Sequence, residues 1–274
     1  MIPNVLAIAG SDPSGGAGVQ ADLKTISANG GYAMAALTAL TAQNTRGVSG
    51  VDHVGPDFVA RQIEAVFADV RVDAVKIGMI ASAAIAEAVA ATLASCGATH
   101  VVLDPVMVAK GGDRLLDESA TETLNARLLP LAGLLTPNLP EAAVLLGRGE
   151  ASSREEMLVQ AEALRALGPE AVLLKGGHLD GADSPDLLHT GSDTIWLEAP
   201  RIGTRNTHGT GCTLSSAIAT HWARHGELPV ACREAKAYVS RAIVGGDALS
   251  VGSGHGPLDH FFFLREERHG TSSG

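Results

Sequence analysis

The stretch NTHGTGC, residues 206–212, is the first place where this sequence could do chemistry. Its glycine-rich turn ends in Gly209, Thr210, Gly211 and Cys212. A run of small and apolar residues follows and predicts a helix, whose first backbone N–H groups are unpaired and whose dipole favours negative charge. The turn therefore predicts an anion hole. The same field would lower the pKa of the Cys212 thiol. Plain packing is the alternative for a lone cysteine, and it is our interpretation of Cys96 and Cys232.

Three charged side chains stand at or just beyond the ends of apolar runs that predict buried strands. They are Asp104, Glu141 and Lys175. Two oxygen ligands from separate loops suit Mg²⁺, which keeps waters and relies on substrate phosphates, so Asp104 and Glu141 are candidate metal ligands. Lys175 emerges directly from a strand and can direct its ammonium group at a phosphate. A capping box between Asn138 and Glu141 at a helix start is the alternative for that acid.

The loop GSDPSGGAGVQAD, residues 10–22, follows the first predicted strand. It lacks the Gly-Lys-Ser/Thr ending of a Walker P-loop. A segment G-x-G-x-x-A within it loosely matches the dinucleotide-binding fingerprint, but the ribose-binding acid expected about 20 residues later is missing. This argues against a Rossmann cofactor site. A tight turn from strand to helix explains the glycines but leaves the polar cluster of Ser11, Asp12 and Ser14 unexplained.

The elements that must position these residues alternate along the chain. Near-continuously apolar runs predict buried strands at 4–10, 35–40, 73–79, 100–106, 133–138 and 171–177. Helical patterns lie near 17–30, 56–69, 82–96, 119–127, 139–146, 154–167, 210–225 and 229–250. Segment 186–199 predicts an antiparallel hairpin around a Gly-Ser-Asp turn. We therefore predict a single α/β domain with a mostly parallel, doubly wound sheet and helices on both faces, which binds ligands beyond the carboxyl ends of its strands.

Composition and charge exclude several classes of protein. The chain has 274 residues, of which 46% are hydrophobic and 18% charged, as in a globular protein. A net charge of −10 without a Lys/Arg cluster argues against nucleic-acid or membrane partners. Three widely spaced cysteines argue against a disulfide framework and a CxxC zinc site. Because it has neither a basic leader nor an apolar run of about 18 residues, we expect a cytoplasmic protein.

Taken together, the motifs resemble those of the ribokinase-like kinases, and most closely the bacterial hydroxymethylpyrimidine/phosphomethylpyrimidine kinases of thiamin biosynthesis. The matching stretches are AIAGSDPSGGAGVQADLKT, TALTAQNT, VKIGMI, VLDPVMVAKGGDRLL, LLTPNLPEA, LLKGGH and NTHGTGCTLSSAIA. They follow the family order over residues 4–260. The resemblance implies a kinase domain over 1–264 and a homodimer. The polar tail at 265–274 is expected to be disordered.

The resemblance also implies roles for individual residues. ATP would phosphorylate 4-amino-5-hydroxymethyl-2-methylpyrimidine and then its monophosphate. The implied pyrimidine pocket consists of Gly10, Asp22, Gln43, Met79 and Val106. Mg²⁺ is implied at Asp104 and Glu141, and ATP phosphates at Asn138, Lys175, Thr207 and His208. The implied catalytic residues are Gly209, Thr210, Gly211, Lys175 and Cys212. Cys212 would take the hydroxymethyl proton in the first step, whereas the second nucleophile is already anionic and needs little base.

Three alternatives stay open. A pyridoxal/pyridoxine kinase on the same scaffold is one, since a reactive Cys212 could add to the pyridoxal aldehyde. A degenerate pyrimidine-sensing domain is a non-enzymatic second, although no DNA-binding segment is fused and every named kinase position is filled. His178 and His208 could also be solvent-exposed spectators of the site. A product assay with pyrimidine and pyridoxal substrates separates the kinase activities.

Overall fold

The computed structural model describes residues 1–107 and 118–265. Its strands are β1 (Asn4–Ser11), β2 (Tyr32–Asn44), β3 (Gly47–His53), β4 (Ala74–Ile77), β5 (Val101–Leu103), β6 (Leu134–Leu135), β7 (Ala171–Lys175), β8 (Asp186–His189) and β9 (Thr194–Leu197). They form one sheet in the order β3-β2-β1-β4-β5-β6-β7-β8-β9. Pairing is parallel from β2 across to β7 and antiparallel at both edges. The six strands predicted from apolar runs are confirmed.

Helices cover both faces of this sheet. They are α1 (Gly18–Ala28), α2 (Pro56–Asp69), α3 (Ala83–Cys96), α4 (Glu118–Thr123), α5 (Leu139–Leu146), α6 (Arg154–Arg165), α7 (Thr210–His225) and α8 (Leu228–Gly245). One hydrophobic core joins the sheet to α2 through α6, and a second joins it to α1, α7 and α8. The doubly wound α/β arrangement is therefore confirmed.

Alternation of side chains along β1 shows why the strand is apolar throughout. Leu6 and Ile8 pack in the core with α2 through α6, whereas Val5 and Ala7 pack in the core with α1, α7 and α8. All four side chains are fully buried. Because successive residues of a strand face opposite sides, a strand covered on both sides is apolar along most of its length.

Local capping residues set the helix ends near the predicted positions. Ser82 and Ser153 are N-caps whose side chains accept hydrogen bonds from the backbone N–H groups of Ile85 and Glu156. At their carboxyl ends α3 and α5 stop at Gly97 and Gly147, both with left-handed backbone. The parallel pairing of β4 through β7 places the loops that follow these strands at one edge of the sheet.

The sequence pattern does not predict strand β3. Most of its side chains are exposed, and it pairs antiparallel with the end of β2. Backbone hydrogen bonding to β2, rather than burial, therefore holds this strand. At the opposite edge the predicted hairpin is confirmed as β8 and β9. The helix predicted at 119–127 changes character after α4, where it continues as a π-helical turn (Leu124–Leu128) and a 3₁₀ turn (Leu129–Leu131).

Two predicted segments lie outside the described residues. They are the part of the VLDPVMVAKGGDRLL motif at 108–117 and the tail from residue 266 onward. Arg265, which begins the predicted tail, pairs with Asp259 at 2.5 Å. Within 1–107 and 118–265, no helix combines the length and the hydropathy of a membrane-spanning segment.

Candidate active site

Three charged side chains meet beyond the carboxyl ends of β5, β6 and β7. Lys175 is the last residue of β7, Asp104 directly follows β5, and Glu141 lies in the first turn of α5, after β6. Lys175 Nζ is 3.1 Å from Asp104 Oδ1 and 3.7 Å from Glu141 Oε2. Because the carboxyl ends of parallel strands lie at one edge of the sheet, residues far apart in sequence converge here. The structure brings the three together as their strand-end positions predicted.

Burial governs the charges of this cluster. Asp104 is 1% exposed and Glu141 is 9% exposed. Burial, together with repulsion from Asp104, raises the pKa of Glu141 to about 7, although Lys175 opposes the shift. Burial alone would lower the pKa of Lys175, but attraction to Asp104 and Glu141 outweighs it and raises that pKa. The cluster thus holds one ammonium group between two carboxyl groups, one of which titrates near neutral pH.

Glu141 also caps a helix. Asn138 N–H donates to Glu141 Oε2 at 2.7 Å, and Glu141 N–H donates to Asn138 Oδ1 at 2.8 Å. This reciprocal pair is a capping box at the start of α5. The capping alternative is therefore confirmed, and the same Oε2 faces Lys175. Asn138 itself bridges to Lys175 through the backbone, which places its amide beside the charged cluster.

The start of α7 lies against this cluster. Gly209 is the N-cap, with a φ of 81°, and a methyl group there would collide with the carbonyl oxygen of Gly16. Both the left-handed backbone and the close contact therefore favour glycine. A methyl group on Gly211 would lie 3.3 Å from both Asp104 Oδ2 and Lys175 Nζ. The N-terminus of α7 thus opens directly onto the charged cluster.

The amides available at this helix start are fewer than the sequence predicted. Thr210 N–H donates to the carbonyl of Thr207 at 3.3 Å, and Thr213 N–H donates to that of Gly209 at 2.9 Å. Gly211 and Cys212 occupy the positions between, where a helix offers no carbonyl of its own. The amide of Thr210 therefore already has a backbone partner, whereas the amides of Gly211 and Cys212 are suited to an anion.

The predicted low pKa of Cys212 is wrong. Burial raises the pKa of its thiol to about 11; the positive charge of Lys76 opposes the shift, and the carboxylates of Asp22 and Asp104 add to it. The helix terminus is a local feature that the sequence displays, whereas the enclosure of the thiol depends on tertiary packing. The resting thiol is consequently neutral at pH 7.

Cys212 should alkylate slowly in the free protein. With a pKa of about 11, its thiolate fraction near neutral pH is about two orders of magnitude below that of an unperturbed cysteine. Peptide-resolved mass spectrometry after timed iodoacetamide exposure would measure the rate, with glutathione as the reference thiol. The rate should also keep rising up to about pH 10, which distinguishes a raised pKa from simple shielding. A rate equal to that of glutathione, levelling off near pH 9, would contradict the assignment.

The sequence did not predict a buried ion pair that contacts α7 one helical turn after Cys212. Lys76 Nζ on β4 lies 2.8 and 2.9 Å from the two carboxylate oxygens of Asp22 on α1. Both side chains are 0% exposed, and Ser216 Oγ donates to Asp22 Oδ1 at 2.8 Å. The available signal was a lysine inside the apolar run DAVKIGM, because a buried charge requires a partner.

Asp22 is the predicted substrate residue whose side chain is fully enclosed. The resemblance implied that it contacts the pyrimidine, but Lys76 and Ser216 occupy its carboxylate. Ser216 follows Cys212 by one turn of α7, so Asp22 supports the helix that carries Cys212. Contact between Asp22 and a pyrimidine stays a prediction.

His208 joins the glycine-rich loop to Gln43. Its Nε2 lies 2.8 Å from Asp12 Oδ2 and 3.4 Å from Gln43 Nε2. The residue is 6% exposed, which excludes the alternative of a solvent-exposed spectator for His208. His208, in the anion loop, therefore contacts Gln43, which is predicted to bind the pyrimidine.

Asp12 organises the loop whose polar residues the sequence left unexplained. It accepts hydrogen bonds from Ser14 Oγ at 2.7 Å and from Ala17 N–H at 2.8 Å, besides its contact with His208. Burial would raise the pKa of Asp12, but these hydrogen bonds outweigh it and lower that pKa to about 2. The ionised carboxylate thus fixes the loop against the start of α7.

The remaining predicted pocket residues lie at neighbouring strand ends. A methyl group on Gly10 would lie 2.8 Å from Met79 Cε, so glycine lets the methionine lie across the end of β1. Met79 carbonyl accepts from Thr38 Oγ1 at 2.7 Å, and Val106 N–H donates to Asp104 carbonyl at 2.8 Å. Met79 and Val106 are half-buried. The bond from Val106 to Asp104 thus connects one predicted pyrimidine residue to the charged cluster.

Comparison with known proteins gives one consistent family. A family model described as phosphomethylpyrimidine kinase matches residues 12–259. The hydroxymethylpyrimidine/phosphomethylpyrimidine kinase of Salmonella typhimurium is 56% identical over 258 residues, which make up 94% of this chain and 97% of that protein.

Solved structures agree on the fold. Pyridoxal kinase from Bacillus subtilis, in a complex with ADP, superposes with a TM-score of 0.89 at 35% identity and covers 96% of this chain and 99% of its own. Phosphomethylpyrimidine kinase from Clostridium difficile 630 gives a TM-score of 0.78 at 42% identity, covering 89% of this chain and 100% of its own. The predicted ribokinase-like fold is thereby confirmed.

Proposed function

This chain belongs to the phosphomethylpyrimidine kinase family, and from that premise we propose that it transfers the γ-phosphoryl group of ATP to 4-amino-5-hydroxymethyl-2-methylpyrimidine and then to the resulting monophosphate. The products are the mono- and diphosphates used in thiamin biosynthesis. Curated relatives from Salmonella typhimurium and Escherichia coli, 56% and 55% identical, are named for both kinase activities.

The position of Gly211 is the observation that carries this proposal. Its Cα is close enough to Asp104 and Lys175 that a methyl group would touch both. A phosphoryl group at the start of α7 would therefore meet the amides of Gly211 and Cys212 on one side and the ammonium of Lys175 on the other. Phosphoryl transfer depends on positioning and on stabilising charge spread over the phosphate oxygens, which these groups supply.

We assign Asp104 and Glu141 to Mg²⁺. They offer carboxylate oxygens from adjacent loops, the ligand type and number that Mg²⁺ uses when phosphates and waters complete its shell. A single ammonium, at 3.1 and 3.7 Å, stands between the two acids, and ionisation of both leaves one excess negative charge for a cation. When bound there, Mg²⁺ neutralises phosphate charge.

Mg²⁺ affinity should fall as the pH drops through 7. Because the pKa of Glu141 is raised to about 7, a proton competes with the metal below that pH, and affinity without nucleotide should fall about tenfold from pH 8 to pH 6. Titrating Mg²⁺ while following the thermal unfolding midpoint at each pH measures this. Glu141→Gln is the control and should remove the pH dependence. Equal affinities at both pH values for the unaltered protein would contradict the assignment.

Cys212 should matter more to the first phosphorylation than to the second. The first nucleophile is a hydroxyl that must lose its proton, whereas the second is an anionic phosphate. A neutral thiol cannot accept a proton, so the base in this role is the thiolate, a minor form of Cys212 at pH 7 because its pKa is about 11. If that thiolate accepts the proton, Cys212→Ser should slow the first step about 10²–10⁴-fold and the second far less. Single-turnover rates with each pyrimidine would show the difference. Equal slowing of both steps, or none, would remove the base role and leave a neutral thiol that shapes the pocket.

The test of the overall function is a product assay. Mg-ATP and the hydroxymethylpyrimidine are incubated with the protein, and mono- and diphosphate are followed separately by mass. Successive appearance of the two products is expected. Failure to form either product, with a folded protein, would overturn the proposal.

Pyridoxal phosphorylation is a second candidate. The TM-score with the B. subtilis pyridoxal kinase, 0.89, exceeds that with the C. difficile phosphomethylpyrimidine kinase, 0.78. Pyridoxal is therefore run in parallel in the same assay. Monophosphate of the pyrimidine alone, with faster pyridoxal turnover, would assign the main activity to pyridoxal.

We also propose a homodimer, from the family resemblance, and a cytoplasmic location, from the sequence. Light scattering coupled to gel filtration tests the first, and fractionation of the source cells tests the second. A monomer at micromolar concentration would contradict the dimer.

A further inference from the structure

We propose that His221, His225 and Glu234 form a binding site for a divalent transition metal of the zinc class, separate from the kinase site. The two histidines are four residues apart on α7, and the glutamate lies on the neighbouring α8. Their ligand atoms all lie within 4.8 Å of one another. His221 follows Cys212 by nine residues, about 13 Å along the helix, so the cluster lies at the opposite end of α7 from the charged cluster of the active site.

The hydrogen bonds around His221 define its tautomer. Asn29 Nδ2 donates to the Thr25 carbonyl at 2.8 Å, so the Asn29 Oδ1 atom faces His221. That oxygen lies 2.9 Å from His221 Nε2 and can only accept, which places the proton on Nε2. In the neutral ring Nδ1 therefore carries a lone pair. Burial, aided by Arg224 and His225 and opposed by Glu234, lowers the pKa of His221 and favours this neutral form.

The lone pair of Nδ1 is buried without a hydrogen-bond partner. His221 is 7% exposed, and its Nδ1 makes no hydrogen bond. Glu234 Oε2 nevertheless lies 2.8 Å away. A carboxylate oxygen and a nitrogen lone pair repel each other at that distance unless a proton or a metal ion lies between them, and the contact does not have the geometry of a hydrogen bond. The arrangement is costly for an empty cluster and favourable for an occupied one.

His225 and Glu234 complete a suitable ligand set. His225 Nε2 lies 3.0 Å from the same Glu234 oxygen, and the two imidazole rings are stacked at 11° with centroids 6.1 Å apart. Zinc bound by nitrogen and oxygen at about 2.0–2.2 Å needs these atoms only slightly further apart, which the half-exposed Glu234 allows. Two imidazoles and one carboxylate favour zinc-like metals over Mg²⁺ or Ca²⁺ and leave a fourth position for water.

Asn29 supplies the outer contact that metal-binding histidines generally have. Such histidines donate their second ring N–H to an oxygen, which fixes the orientation of the ring. Asn29 follows the end of α1, so a metal here would tie α7 to α8 directly and to α1 through Asn29. Arg224 also contacts this region, donating to the Asn29 carbonyl, and its positive charge weakens attraction for any cation. We therefore expect the site to bind metals that prefer neutral imidazole ligands, rather than to attract every cation by its charge.

The test is titration of Zn²⁺ and Co²⁺ into metal-stripped full-length protein near pH 7.5, with excess Mg²⁺ present to occupy the acids of the active site. We expect one equivalent of Zn²⁺ to bind saturably and raise the thermal unfolding midpoint, and Co²⁺ to give the visible absorption of a four-coordinate site. His225→Ala and Glu234→Gln should each weaken binding by more than about tenfold, and Asn29→Ala by about 10- to 100-fold. His53→Ala, which removes an exposed histidine on β3, should change nothing.

Kinase turnover should be unaffected in the His225→Ala and Glu234→Gln proteins, since neither residue belongs to the active site. Zinc affinity that stays at the unaltered value in both variants would overturn the proposal. Absence of saturable binding to the unaltered protein, with its folding verified by thermal unfolding, would also overturn it.

Discussion

Lys76→Met should destabilise the folded protein by about 3–5 kcal/mol, because it leaves the Asp22 carboxyl buried without its partner. Lys76 Nζ lies 2.8 and 2.9 Å from the two Asp22 oxygens, and neither side chain reaches solvent. The free energy of unfolding from urea denaturation measures the loss. Arg154→Met is the matched control: it breaks an ion pair with Glu198 whose side chains are 42% and 54% exposed, and it should leave stability nearly unchanged.

The pH dependence of that variant tests the cause of the loss. Without Lys76, the buried Asp22 should take up a proton on folding, so the folded state binds one more proton than the unfolded state. Stability should then fall by about 1.4 kcal/mol per pH unit as the pH rises above about 4. Lys76→Met/Asp22→Leu should restore most of the stability and remove this slope. A single variant as stable as the unaltered protein from pH 5 to 8 would contradict the account.

Lys175→Met should lower kcat by about 10²–10³-fold for both phosphorylations. The ammonium lies at the edge of the site against Gly211, where the phosphoryl group is proposed to move. Methionine keeps most of the length of the side chain without its charge. Removing the charge also leaves Asp104 and Glu141 without the cation between them. Steady-state kcat and KM with each pyrimidine substrate are the measurement.

Lys236→Met is the matched control for Lys175→Met. Its Nζ pairs with Asp186 at 2.6 Å, and its side chain is 14% exposed, as is that of Lys175. The control should cost stability without a comparable fall in kcat. A folded Lys175→Met protein with unaltered kcat would show that the lysine only balances the two acids.

Much of the fold could be predicted because the property that determines it is visible in consecutive residues. The central parallel strands are covered on both faces and are therefore mostly apolar. Strand β3 could not be predicted this way, since its exposed side chains carry no such pattern and backbone pairing with β2 holds it. The proximity of Asp104 and Lys175 could be predicted because both follow or end parallel strands, and the carboxyl ends of parallel strands lie at one edge of the sheet.

The parts of the site that could not be predicted depend on contacts between distant residues. Lys76 stands out in its apolar strand, but its partner lies 54 residues away on α1. The pKa of Cys212 was predicted with the wrong sign because the helix start is local, whereas the burial and the neighbouring carboxylates are assembled by tertiary structure. The polar residues beside the first glycines could not be explained from the sequence because Asp12 contacts His208, which lies 196 residues away.

The capping box at the start of α5 has a consequence for how this protein can vary. Glu141 satisfies the helix start through Oε2 and faces Lys175 through the same atom. A library of variants sorted only for folding should accept glutamine at position 141, since an amide oxygen can cap the helix. A library sorted for turnover should accept glutamate alone. The difference between the two surviving populations would show which requirement at position 141 comes from folding and which comes from catalysis.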